Sequence, residues 1–156
     1  MTFKRQPLPT TDRDAVSTAL QPCLCDLVDL ALLLKQAHWT LKGERFLSIH
    51  EQLDGIIDDV REAVDDIAER MAQIGVAPDG RSRVVAEHAR LEPYPGGFVD
   101  VPECVTLVSD RLARAAKNLR DARDAVAEPD PITEDLLIDK IGELEEHLWM
   151  LQAQEA

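Results

Sequence analysis

Apolar residues recur at steps of three and four along four long stretches of this chain, and nowhere do apolar and polar positions alternate long enough to suggest a sheet. The pattern predicts an all-α protein. The second stretch is the best defined: Phe46, Ile49, Leu53, Ile56, Val60, Val64, Ile67, Met71 and Ile74 form one stripe, with Gly43 ahead of it and Gly75 in the position of a C-terminal cap. The first helix is expected from Thr11 to about Leu41. Its opening, Thr11-Asp12-Arg13-Asp14, reads as a capping box with Asp in place of the usual Glu or Gln. Pro22, which has no amide donor, should interrupt and kink the first half of that helix.

Val76 to Asp100 is a long connection rich in Pro and Gly, within which Arg81–Arg90 is expected to form a short helix across the bundle. A third helix fits Val101 to Glu128, with Pro102 tolerated in its first turn. A fourth fits Ile132 to Gln152, after the Glu128-Pro129-Asp130-Pro131 break. Together these predict a four-helix bundle with one long crossover between the second and third helices. Residues 1–10 are expected to be a flexible extension and 11–156 a single domain, since 156 residues with 45% hydrophobic content suffice for one core.

The charge balance narrows the partners. With 17 Lys+Arg against 30 Asp+Glu, the formal net charge of -13 attracts cations and repels phosphate backbones. The opening MTFKRQPLPTTDRD has no apolar run of the kind a signal peptide needs, and no later segment reads as uniformly apolar over a bilayer's thickness. A cytoplasmic location without membrane contact is the expectation. Cys23, Cys25 and Cys104 are an odd number without zinc-knuckle spacing and are expected as free thiols.

The candidate chemistry sits on the second helix, which carries His50 and Asp54 four residues apart, then Asp65 and Glu69 four residues apart. At ~100° per residue the four side chains fall within roughly a third of a turn and make one polar stripe. It is centred about 130° from the middle of the apolar stripe and therefore looks sideways rather than into the core. Imidazole and carboxylate together suit iron or zinc, bound within about 2.0–2.2 Å, so zinc stands as a candidate competitor for iron. At ~1.5 Å rise per residue the two pairs are centred about 22 Å apart, too far for one chain to close a site with both. An antiparallel second copy, related by a two-fold axis near Asp59 and Val60, would bring His50 and Asp54 of one chain against Asp65 and Glu69 of the other. His38, a short turn before the second helix, can add a nitrogen donor beside His50, with Trp39 next to the metal.

The same residues carry a family resemblance. His38-Trp39-Thr40-Leu41-Lys42-Gly43, followed by Phe46, Ile49-His50 and Asp54, resembles the first signature of the Dps family of mini-ferritins, and Val64-Asp65-Asp66-Ile67-Ala68-Glu69-Arg70 with Gly75 resembles the second. The likeness extends from about Leu27 to Leu148-Trp149. It implies a ferritin-like bundle assembled into a twelve-subunit cage that binds Fe²⁺ at the two-fold interface, oxidises it with hydrogen peroxide and stores the ferric mineral. By resemblance, His38, His50 and Asp54 come from one subunit, Asp65 and Glu69 from its partner, and Trp39 intercepts radicals. Asp130, Asp135 and Asp139 resemble the family's acidic pore lining, where Fe²⁺ enters.

Departures from the family pattern matter too. Many members hold DNA through a lysine-rich tail; here the N-terminal extension offers Lys4, Arg5 and Arg13, and the chain ends Gln152-Ala153-Gln154-Glu155-Ala156, which argues against DNA as a partner. Thr40 stands where an asparagine is more usual. A DNA-compacting cage with little redox activity is the alternative function. An ordinary ferritin centre would need Glu-x-x-His motifs, but Leu144 and Leu47 stand three residues before His147 and His50. A zincin-like reading of His50-Glu51-Gln52-Leu53-Asp54 leaves Asp65 and Glu69 unexplained. His88 and His147 lie off the stripe and are expected as surface or packing residues.

Overall fold

The computed structural model describes residues 3–155. Its helices are α1 (Thr10–Thr40), α2 (Phe46–Gln73), α3 (Ser82–His88), α4 (Val101–Val126) and α5 (Pro131–Gln152). Two short strands, β1 (Leu41–Lys42) and β2 (Val99–Asp100), pair in parallel. α1 packs along α2 and α4 along α5, the two hairpins meet chiefly through α1 and α4, and the connection carries α3 back against α1. This is the expected four-helix bundle with its crossover helix. Met1, Thr2 and Ala156, at the ends of the expected extension and domain, lie outside the described residues.

The core runs along the bundle axis through Leu20, Leu27, Leu30 and Leu34 of α1, Leu53, Ile56 and Ile67 of α2, and Leu112 and Leu119 of α4. Most of the stripe expected on α2 is buried, but Phe46 is 39% exposed at the helix start and Val64 only half-buried. Ile57 and Ala63 take their places in the core. Gly75, at φ 86°, ends α2 as expected: its amide donates to Ala72 and that of Val76 to Met71, which satisfies two terminal carbonyls.

Two expectations for α1 fail. The helix starts one residue early with Pro9 at its cap, and there is no capping box, because Asp14 is held by the Arg13 guanidinium and Thr11 turns to Asp12. The helix also runs through Pro22 without a break. One missing donor is outweighed by the buried contacts of Leu20, Cys23, Leu24 and Leu27 on either side of it. α1 is, moreover, long and apolar enough by composition to cross a bilayer, contrary to the sequence reading, and half of that stretch is buried inside the bundle.

Buried polar side chains tie the crossover down. Asp26, 1% exposed, accepts from the backbone amide and guanidinium of Arg90 and from the Asn118 amide, which joins α1, the crossover and α4. Arg111 of α4 donates to the carbonyls of Glu92 and Leu107. Cys23, Cys25 and Cys104 are free and buried.

Candidate metal centre

The turn between α1 and α2 builds the site. After Thr40 the chain pairs briefly with Val99–Asp100, then reverses through Gly43 at φ 109° and Arg45 at φ 64°. Glycine has no Cβ to oppose such a backbone, and its placement here lets α2 start close against the end of α1. His38 and His50 are thereby stacked, with ring centroids 3.6 Å apart.

Each ring is fixed by the other helix. His38 Nδ1 lies 3.1 Å from the His50 carbonyl, and His50 Nδ1 lies 3.0 Å from the His38 carbonyl. A carbonyl only accepts, so both Nδ1 atoms carry the proton and donate. In the neutral form of a ring that donates through Nδ1, Nε2 keeps the lone pair a metal needs. The Phe46 ring, 5.0 Å from that of His50, covers another side.

Asp54 completes the cluster. Its Oδ1 is 3.3 Å from His38 Nδ1, and one potential ligand atom from each of His38, His50 and Asp54 falls within 4.8 Å of the others. Among the described residues this is the one group of three or more His, Cys, Asp or Glu so arranged. His38 is buried, while His50 and Asp54 are half-buried, so the donors open to the surface. Lys35, unremarked in the sequence, reaches the same Oδ1 at 2.7 Å. That hydrogen bond holds the Asp54 carboxyl below the usual carboxylate range, against the opposing effect of desolvation. A basic residue three positions before His38, on the same helix face, was the signal for it.

The other predicted ligands stand apart. Asp65 and Glu69 are exposed on α2 and do not join the cluster of their own chain. Trp39 is 65% exposed, and Leu32, seven residues earlier on the same face of α1, is 62% exposed. His88 is exposed, whereas His147 Nε2 is 2.7 Å from Asp59 Oδ2.

The expected pore group divides. Asp135 and Asp139 are exposed, but Asp130 is 2% exposed and does not line a surface with them. It sits at the start of α5, where Arg70 donates to it at 2.7 Å and Thr133 also donates. Lys140, itself buried, places its ammonium 3.3 Å from Asp139 and 3.1 Å from Asp66.

Comparison with known proteins identifies the family. Residues 17–155 match the family model of the ferritin-like domain. The fine tangled pili major subunit of Haemophilus ducreyi is 38% identical, over 88% of this chain and 73% of that protein. The DNA protection during starvation protein of Agrobacterium fabrum is 33% identical, over 96% of this chain and 93% of its relative. Among solved structures, Dps from Microbacterium arborescens in its high iron form superposes with a TM-score of 0.91 at 26% identity, covering 96% of this chain and 98% of the other. On fold, family model and relatives alike, the chain belongs to the Dps family of mini-ferritins.

Proposed function

We propose that copies of this chain assemble into a cage that oxidises Fe²⁺ at sites shared between two subunits and stores the ferric product inside. The observation that carries this reading is the split of the donors: His38, His50 and Asp54 converge within one chain while Asp65 and Glu69 stay exposed and apart. A dication held by one carboxylate and two imidazoles is under-coordinated, and two further carboxylates from a second copy would complete its shell. The exposed Leu32 and Trp39 on the neighbouring face of α1 favour burial of that region by another subunit.

Iron is the substrate here. With hydrogen peroxide as oxidant, two Fe²⁺ each give one electron, the O–O bond breaks, and two protons complete two molecules of water. Both electrons leave together, so hydroxyl radical is not released. Twelve subunits, the peroxide preference and a radical-intercepting role for Trp39 rest on family likeness. Zinc, which suits the same donors, would occupy the site without turning over. With a net charge of -13, the chain would protect DNA by removing iron and peroxide rather than by coating it.

The test is anaerobic Fe²⁺ oxidation by added peroxide, followed by the absorbance of the ferric product. Wild type should consume one peroxide per two Fe²⁺, and His50→Ala and Asp65→Ala should each lose most of the rate. Variants as fast as wild type would remove the basis for this reading.

A further inference from the structure

We infer that Asp58 and Arg61 of one copy pair with Arg61 and Asp58 of a second, in a ring of four charges about the two-fold axis, and that this ring sets the register in which two chains meet. The inference rests on the proposed function and deepens it by naming the contact that aligns the two halves of each site.

Its basis is a match of positions along α2. The axis that lies midway between His50 and Glu69, and between Asp54 and Asp65, lies midway between Asp58 and Arg61 as well. At ~100° per residue both fall within about 30° of the centre of the donor stripe, so they share the face that a second copy would cover. Other charged residues of α2 are engaged within the chain: Asp54 with Lys35, Asp59 with His147, Asp66 with Lys140 and Arg70 with Asp130. Asp58 and Arg61 are exposed, and neither is ion-paired among the described residues. Leu47, 61% exposed, and the exposed Ala72 are also equidistant from the axis, so a large apolar side chain would meet a small one at each end of the face.

Charge complementarity favours a second copy of this chain as the occupant of that face. Each chain carries a net charge of -13, so two copies repel at a distance and need opposite charges where they touch. Antiparallel packing supplies them twice over, because each Arg61 meets the other copy's Asp58 as the centre of the contact loses water. The ring also opposes misalignment. Sliding one helix by about three residues in either direction would set Asp58 against Asp58 or Arg61 against Arg61, and like charges in contact cost affinity. The same slip would part the metal donors, so the ring favours the one register in which both sites close.

Charge reversal tests the ring. Asp58→Arg and Arg61→Asp change the net charge in opposite directions, yet each sets like charges together. Each should therefore raise the protein concentration needed for assembly, measured by sedimentation, at least about tenfold. Mixed in equal amounts, the two variants should assemble as readily as wild type, and native mass spectrometry should find pairs with one copy of each. Asp58→Arg combined with Arg61→Asp in one chain exchanges the signs and should also assemble as wild type does. If a reversed variant proves unfolded by circular dichroism, Asp58→Asn and Arg61→Gln replace it. Each of these should weaken assembly about threefold, and the two together no more than either alone. Variants that assemble like wild type, or reversed variants that stay apart when mixed, overturn the ring. If mixed Asp65→Ala and His50→Ala subunits nevertheless recover iron oxidation, the shared site stands with another contact at its centre. If that recovery fails too, both readings fall.

Discussion

His38 and His50 lock each other: each imidazole donates through Nδ1 to the other residue's backbone carbonyl, at 3.1 and 3.0 Å, while the rings stack at 3.6 Å. The arrangement sets both tautomers before any ion arrives and joins the end of α1 to the first turns of α2. A metal held here would meet preoriented nitrogen donors.

Replacing either histidine should harm the other. His38→Ala leaves His50 without its stacking partner, and His50→Ala does the same to His38, so each single change should weaken Zn²⁺ binding by at least about tenfold. The double variant should be little worse than either single one. Calorimetric titration of the three variants checks this, and strictly additive losses would mean that the rings act independently.

Asp130 makes a pH-dependent contribution to stability. Burial by itself would raise its pKa, but the hydrogen bonds from Arg70 and Thr133 prevail and hold it below the usual carboxylate range. A depressed folded-state pKa means that the contribution is present at neutral pH and fades as the pH falls through and below the ordinary Asp value of about 3.9. Asp130→Ala should destabilise the protein by about 3 kcal/mol at pH 7 by leaving Arg70 unpaired. Denaturant midpoints at pH 7 and pH 3 should show the gap between wild type and variant shrinking with acid.

The Asp26 network matters as well. Its carboxylate accepts from Arg90 and Asn118 in a site 1% exposed, but the Arg90 side chain is 42% exposed and can turn to water, so Asp26→Ala should cost about 1 to 3 kcal/mol. The loss should appear as a lower denaturant midpoint, together with faster hydrogen exchange in Ser82–Arg90, where the crossover is released.

The thiols should be inert in the folded protein. Burial pushes Cys23 up to about 11, and desolvation raises Cys25 and Cys104 as well. At pH 8 they remain protonated and poorly nucleophilic. Iodoacetamide should label them only after unfolding, which mass spectrometry of native and urea-treated samples will show.

The fold was legible where a single face decides the outcome. The α2 stripe and the Gly75 stop needed only local spacing, and both are present. The capping box failed because Arg13 competes for Asp14, and Pro22 misled because packing on either side outweighs one missing donor. Phe46 fits the stripe by number but lies at the helix start, where it turns to His50. Of the site, the neighbourhood of His38, His50 and Asp54 followed from helix geometry and one short turn. Lys35 and Asp130 did not, because their partners lie 19 and 60 residues away in sequence, and periodicity says nothing about which charges meet.

The central claim is that one site needs two chains, and subunit mixing tests it most directly. Asp65→Ala and His50→Ala subunits, each inactive alone, are unfolded together in equal amounts, reassembled, and assayed for peroxide-dependent Fe²⁺ oxidation. Each mixed pair regains one intact centre of two, so random pairing should restore about a quarter of wild-type activity. Mixed pairs verified by mass spectrometry that remain as inactive as the parents would contradict the shared site.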